Sequence, residues 1–362
     1  MNDKLPTYPQ DLTPDFLTTV MAAHNPGVRV ENARLVDASL IGDTAVSSSQ
    51  RARLEVEYSQ ESPPGLPRHL FVKFSPGSLY AIYENEILFY NRIRPTLDLE
   101  TPVALGGRAD PASKRFILIT EDLSAKDAHF HRQTDEPSVA TTQALLDTLA
   151  KLHATFWETP RFGGDLAFVQ THLEGSIEDL MHGVIRAGIR EELKREVTKR
   201  ELLGRLRTTE EDMYRAVNVL KHHQAGLPQT LLQGDCHFAN SYLLPDGRAG
   251  IYDWQLCSRG HAMHDISYMI TTSLSIALRR AHERELLTFY RERLGHYGVT
   301  ELPSEDSLWL EYRRAALWNL YYGWLIAPIS YGWELLTMAL MRTSAAIEDH
   351  DSLKMIAALG DV

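Results

Sequence analysis

Two cysteines in 362 residues, Cys236 and Cys257, are too few for a disulfide framework and form no CxxC pair, which points to a reducing compartment. Long hydrophobic runs are missing as well. No stretch approaches the ~20 apolar residues that a membrane-spanning helix needs. The opening "MNDKLPTYPQDLTPDF" is polar and carries no signal-peptide core. A cytoplasmic protein with no membrane partner is therefore expected. Positive charge is in deficit: 37 Lys and Arg stand against 48 Asp and Glu, a net charge of −11. That balance argues against nucleic acid, whose backbone needs a basic footprint, but a nucleotide needs only a local cluster of positive charge. Internal repeats and low-complexity tracts are absent too. What remains, 44% hydrophobic and 23% charged residues, is ordinary globular composition, and the length suits two domains or one large bilobal unit.

The first third of the chain reads as β-rich. "RARLEVEY" (51–58) alternates apolar and polar residues, "SQESPPGLP" (59–67) is turn chemistry, and "HLFVKF" (69–74) returns as a second strand. "YAIYENEILFYNRIR" (80–94) is helical and should stop at Pro95, and "RFILIT" (115–120) is a more continuously apolar, central strand. From about residue 138 the pattern turns helical. Leu145, Leu149, Leu152 and Phe156 fall on one face, and residues 185–222 suit exposed helices. Short strands near 231–233, 241–244 and 249–252 interrupt, the last two joined by the "PDG" turn (245–247). Residues 274–296 and 305–357 are helical again. The expectation is an α+β chain, with a β-rich lobe over 1–120 and a larger, mostly helical lobe over 121–362.

Chemistry concentrates in "LLQGDCHFAN" (231–240) and "GIYDWQ" (250–255). A hairpin between Asp235 and Asp253 would bring both carboxylates and the Asn240 amide together. Two carboxylates and an amide oxygen are hard ligands suited to Mg²⁺, whereas zinc prefers sulfur or several histidines. Mg²⁺ beside a carboxylate is the equipment of phosphoryl transfer. One Asp orients and deprotonates the attacking hydroxyl, while Asn and the other Asp hold metal.

"GDCHFAN" followed by "YDW" resembles the catalytic and metal-binding segments of the aminoglycoside phosphotransferase-like and choline kinase-like small-molecule kinases, closest to their ecdysteroid-kinase-like branch. The resemblance extends to "GHAMHDISYMI" and "LAKLHATFW" and spans roughly residues 40–300. It implies a bilobal protein-kinase-like fold, ATP and Mg²⁺ as cofactors, and a small-molecule hydroxyl as acceptor. It assigns Asp235 as base, Asn240 and Asp253 as Mg²⁺ ligands, and Asp265 as a brace for the catalytic loop. One residue departs from the pattern: the family usually has a backbone-bracing histidine before Gly-Asp, and here it is Gln233.

A kinase also needs a lysine for the phosphates. Lys73 lies in an apolar strand, and the helix that follows offers Glu84 and Glu86. Ile82, Glu86, Phe89 and Ile93 share one face, so Glu86 sits in the buried stripe, where an unpaired carboxylate would be costly. The expected pair is Lys73–Glu86, and "EILFY" agrees with the family's E-x-x-F-Y. The phosphate-covering loop falls in "LIGDTAVSSSQRARLEV" (40–56), with Gly42 and the hydroxyls of Ser47 and Ser48. "ITEDL" (119–123) resembles the adenine-contacting hinge, with Glu121 and Leu123 acting through main chain. His237, His261, His264 and His153 read as structural.

The segment 309–336 carries eight Trp and Tyr rings and few acids, chiefly Glu311 and Glu334. A polycationic aminoglycoside would favour clustered acids, so a neutral or apolar alcohol is the expected acceptor. The alternatives are an aminoglycoside-type kinase, a catalytically silent nucleotide-binding module, and a metal-dependent hydrolase built on the Asp/His cluster.

Overall fold

A computed structural model describes residues 4–39, 49–75 and 79–360. The chain is α+β, as expected. It divides into two compact units, Met1–His129 with Leu243–Gly247, and Phe130–Tyr242 with Arg248–Val362. Among the described residues no helix is long and apolar enough to cross a membrane.

The first unit is built on a five-stranded antiparallel sheet. Its strands are β1 (Val30–Ser39), β2 (Gln50–Tyr58), β3 (His69–Ser75), β4 (Ala104–Asp110) and β5 (Arg115–Glu121), in the order β1-β2-β3-β5-β4. Side chains alternate across a strand, and here the alternation sorts structure from chemistry. Leu70, Val72 and Phe74 of β3, with Ile117 and Ile119 of β5, join Leu17, Val20 and Met21 of helix α1 (Pro14–Ala22) in one core. Lys73 points to the opposite face, towards helix α2 (Tyr80–Leu88). There Tyr83 stacks on Phe116, with ring centroids 4.1 Å apart.

Three elements of this unit escape the periodicity argument. β1 is an edge strand with Leu35 and Val36 exposed, so it shows no clean alternation. β4 contains Gly106 and Gly107, poor strand formers. A Cβ on Gly106 would sit 2.8 Å from the Val20 carbonyl oxygen, so glycine is what lets α1 lie against the sheet. The 80–94 helix is α-helical only to Leu88. It continues as a π turn (Phe89–Ile93) and a 3-10 turn (Arg94–Thr96) that holds Pro95 rather than stopping before it.

The second unit is mostly helical. Helix α3 (Val139–Phe156) starts on a Ser138 cap and buries Leu145, Leu149, Leu152 and Phe156. The helix Met263–Ser273 is buried along its entire length. Strand Thr230–Leu232 pairs with Ser258–Gly260, a strand absent from the sequence reading. Ser241–Leu243 and Ala249–Ile251 form the expected hairpin, with Gly247 at φ 86° in its turn.

Candidate active site

In the first unit Lys73 Nζ lies 2.9 Å from Glu86 Oε2, with side chains only 7% and 3% exposed. The ammonium also stands 5.4 Å over the Tyr83 ring. Glu84 turns elsewhere and accepts from the Tyr80 hydroxyl at 2.9 Å. Glu121 donates its N–H to Val103 O at 3.0 Å, so that group is spent in local pairing. Its carboxylate accepts from Val103 N and pairs with Lys126. Leu123 opens a 3-10 turn (Leu123–Lys126), and its N–H is one that a helix start leaves without an intrahelical partner. Gly42, Ser47 and Ser48 lie outside the described residues.

In the second unit the loop after Thr230–Leu232 is held from below by Asp265. Its two oxygens accept the N–H groups of Gln233 at 2.7 Å and Gly234 at 3.0 Å. His153 fixes that carboxylate at 3.2 Å and is itself bonded to Tyr290 at 2.8 Å. Burial alone would push the Asp265 carboxyl up. The His153 bond and charge and the backbone N–H outweigh it, and the group lies below the ordinary carboxylate range. Gly234 has φ 89°, and a Cβ there would fall 2.0 Å from Leu256 O. Only glycine fits that turn.

Asp235 follows, with a third of its side chain exposed. Asn240 Nδ2 bonds Asp235 O at 3.0 Å and Oδ2 at 3.2 Å, which leaves the amide oxygen as the atom that could hold a metal. Tyr252 donates its N–H to Asn240 O at 3.0 Å, and Asp253 comes next in the chain. Burial, and beside it the charge of Asp253, raises the Asp235 carboxyl above its ordinary range. His237 and hydrogen bonds from Tyr268 and Asn240 oppose that rise. Asp253 is a non-glycine residue at φ 63°, ψ 70°. Such left-handed backbone is costly and gathers at functional sites.

Asp235, Asn240 and Asp253 thus belong to one local arrangement. Its donor set, a carboxylate and an amide oxygen beside a second carboxylate, is hard oxygen throughout and fits Mg²⁺, which keeps water and phosphate oxygens in its remaining positions. Burial lowers His261 to about 4 and also lowers His264, which faces Gly234 O at 3.3 Å. His237 Nε2 is 3.6 Å from Asp235. Among the described residues no three His, Cys, Asp or Glu side chains gather as a metal-holding group.

Three contacts were not read from the sequence, although Gln233 stood out there at the place of the family's bracing histidine. Tyr268 reaches Asp235 from the buried helix, His153 acts through Asp265, and the Gln233 side chain spans both segments. Only "DISY" hinted at the first, since helical spacing puts Tyr268 one turn beyond Asp265.

The sequence profile of the ecdysteroid kinase-like family matches residues 42–298. No curated protein matches the chain. Among solved structures it is similar to a microcompartment-associated aminopropanol kinase (14% identity, 90% of this chain and 95% of that one, TM-score 0.47). It is also similar to a choline kinase from Streptococcus pneumoniae (14%, 86% and 94%, 0.41). A third is a macrolide 2'-phosphotransferase from Brachybacterium faecium (14%, 90% and 98%, 0.44).

Proposed function

The chain belongs to the ecdysteroid kinase-like family of small-molecule kinases, and we propose that it transfers the γ-phosphoryl group of ATP to the hydroxyl of a neutral or apolar alcohol in the cytoplasm. The observation that carries the reading is the Asp235–Asn240–Asp253 arrangement, with its hard oxygen donors beside a raised, partly exposed carboxylate. Asp235 would orient the acceptor hydroxyl and take its proton as the new O–P bond forms and the γ-phosphorus–bridging oxygen bond breaks to release ADP. Asn240 Oδ1 and the Asp253 carboxylate would hold Mg²⁺, which would screen the phosphate charge. Lys73, paired with Glu86, would supply positive charge to the phosphates, Ser47 and Ser48 would contribute their hydroxyls, and the Leu123 main chain would meet the adenine edge.

Charge supports the proposed acceptor class. Of the two acids in the aromatic segment, Glu311 is buried and bonded to His223 at 2.9 Å and paired with Arg314. Glu334 stands alone on the surface. Tyr312, Trp318, Tyr321, Tyr322 and Trp324 are buried, while Trp333 is 63% exposed. No acidic cluster in this segment awaits a polycation. ADP release measured with cyclic neutral alcohols and with amino sugars tests this. Neutral alcohols should stimulate it; stimulation by amino sugars alone would make the protein an aminoglycoside-type kinase.

A further inference from the structure

We propose that Gln233 is a positioning residue that locks Asp235 and Asp253 into one unit, and that glutamine does this here more completely than the histidine usual at its place. The proposal rests on the roles given above to those two carboxylates. Gln233 is fully buried. Its Oε1 accepts the Asp235 N–H at 2.8 Å. Its Nε2 donates to Tyr252 O at 2.9 Å and to Asp253 O at 2.7 Å. Those two carbonyls belong to the peptide planes on either side of the Asp253 Cα. Pinning both planes fixes φ and ψ of Asp253, the residue held in the left-handed region at 63° and 70°. A non-glycine residue stays there only when its surroundings over-determine it, and one amide group supplies that constraint.

The amide is suited to this by its inventory: one acceptor oxygen and two N–H donors. A neutral imidazole offers one acceptor and one N–H donor, so it could hold Asp235 and one of the two planes, not both. Gln233 is therefore no sign of a silent site. It ties the backbone of the base to the backbone of the metal ligand.

Hydrogen exchange on the free, full-length protein tests the coupling without nucleotide or turnover. Two amides report: Asp235 N–H, bonded to Gln233, and Tyr252 N–H, bonded to Asn240 O. Rates are taken relative to the helix Met263–Ser273. Gln233→Leu should speed both: Asp235 N–H by about tenfold, because its hydrogen bond is lost, and Tyr252 N–H because the peptide planes around Asp253 are released. Gln233→His should leave Asp235 protected yet speed Tyr252, and it keeps the test available should the leucine variant fail to fold. Wild-type exchange at both amides in either variant overturns the proposal. A second readout separates positioning from packing. ADP affinity is measured with Mg²⁺ and with EDTA. Both variants should lose part of the gain due to Mg²⁺ and keep the metal-free affinity; equal losses in both conditions mean that Gln233 only fills space. If the wild type shows no Mg²⁺ gain, the proposed function fails, and the exchange result still decides the role of Gln233.

Discussion

Lys73 and Glu86 show how much a single residue's surroundings decide. Each is buried in apolar company, so each is tolerated because the other is there. Lys73→Ala leaves a carboxylate without its cation and should cost about 3–5 kcal/mol in stability, together with loss of ATP affinity. Glu86→Ala should do the same. Glu84→Ala removes only a bond to Tyr80 and should do neither. Thermal unfolding and ATP titration of the three variants check this, and equal effects at 84 and 86 would contradict it. The choice of Glu86 was legible from helical periodicity alone. The bracing of the Asp235 loop was legible only in part: the resemblance named Asp265, but His153 and Tyr290, far apart in sequence, join it only through packing of α3 against the helices Met263–Ser273 and Ile276–His296.

At the scale of elements, legibility followed amphipathicity. β2, β3 and α3 carry alternation or a stripe and β5 a continuous apolar run, and all are where the sequence pattern expects them. β1 and β4 are not readable that way, because an exposed edge and a glycine pair weaken the pattern. Gly106 gives this a test. Gly106→Ala places a methyl group 2.8 Å from backbone that cannot rotate aside. Overpacking of that kind costs about 1–3 kcal/mol. Gly163→Ala meets nothing within 4 Å and should stay within about 0.5 kcal/mol of wild type. Urea unfolding of both decides whether α1 is seated on β4 as described.

For the whole molecule, acid should destabilise well before carboxylates titrate. His261, at about 4 when folded, and His264, also lowered, are buried neutral. Their unfolded counterparts bind protons near 6.5. Between those values the unfolded chain holds more protons, so stability rises with pH. It is full above about 6.5 and lost progressively as pH falls towards 4. His261 alone should remove about 2 kcal/mol near pH 5. Unfolding measured at neutral and mildly acid pH checks this, and His261→Gln should flatten part of the slope.

The proposed transfer rests on Asp235, which is proposed to orient the acceptor hydroxyl and not to hold nucleotide. The most direct measurement compares wild type and Asp235→Asn, side by side, for Mg²⁺·ATP affinity and for alcohol-dependent ADP release. The variant should bind Mg²⁺·ATP nearly as wild type does and lose transfer by about 10²–10⁴-fold, the usual contribution of a positioned base. Alcohol-dependent release that survives the substitution would contradict the role of Asp235, and a wild type that no alcohol stimulates would contradict the kinase itself.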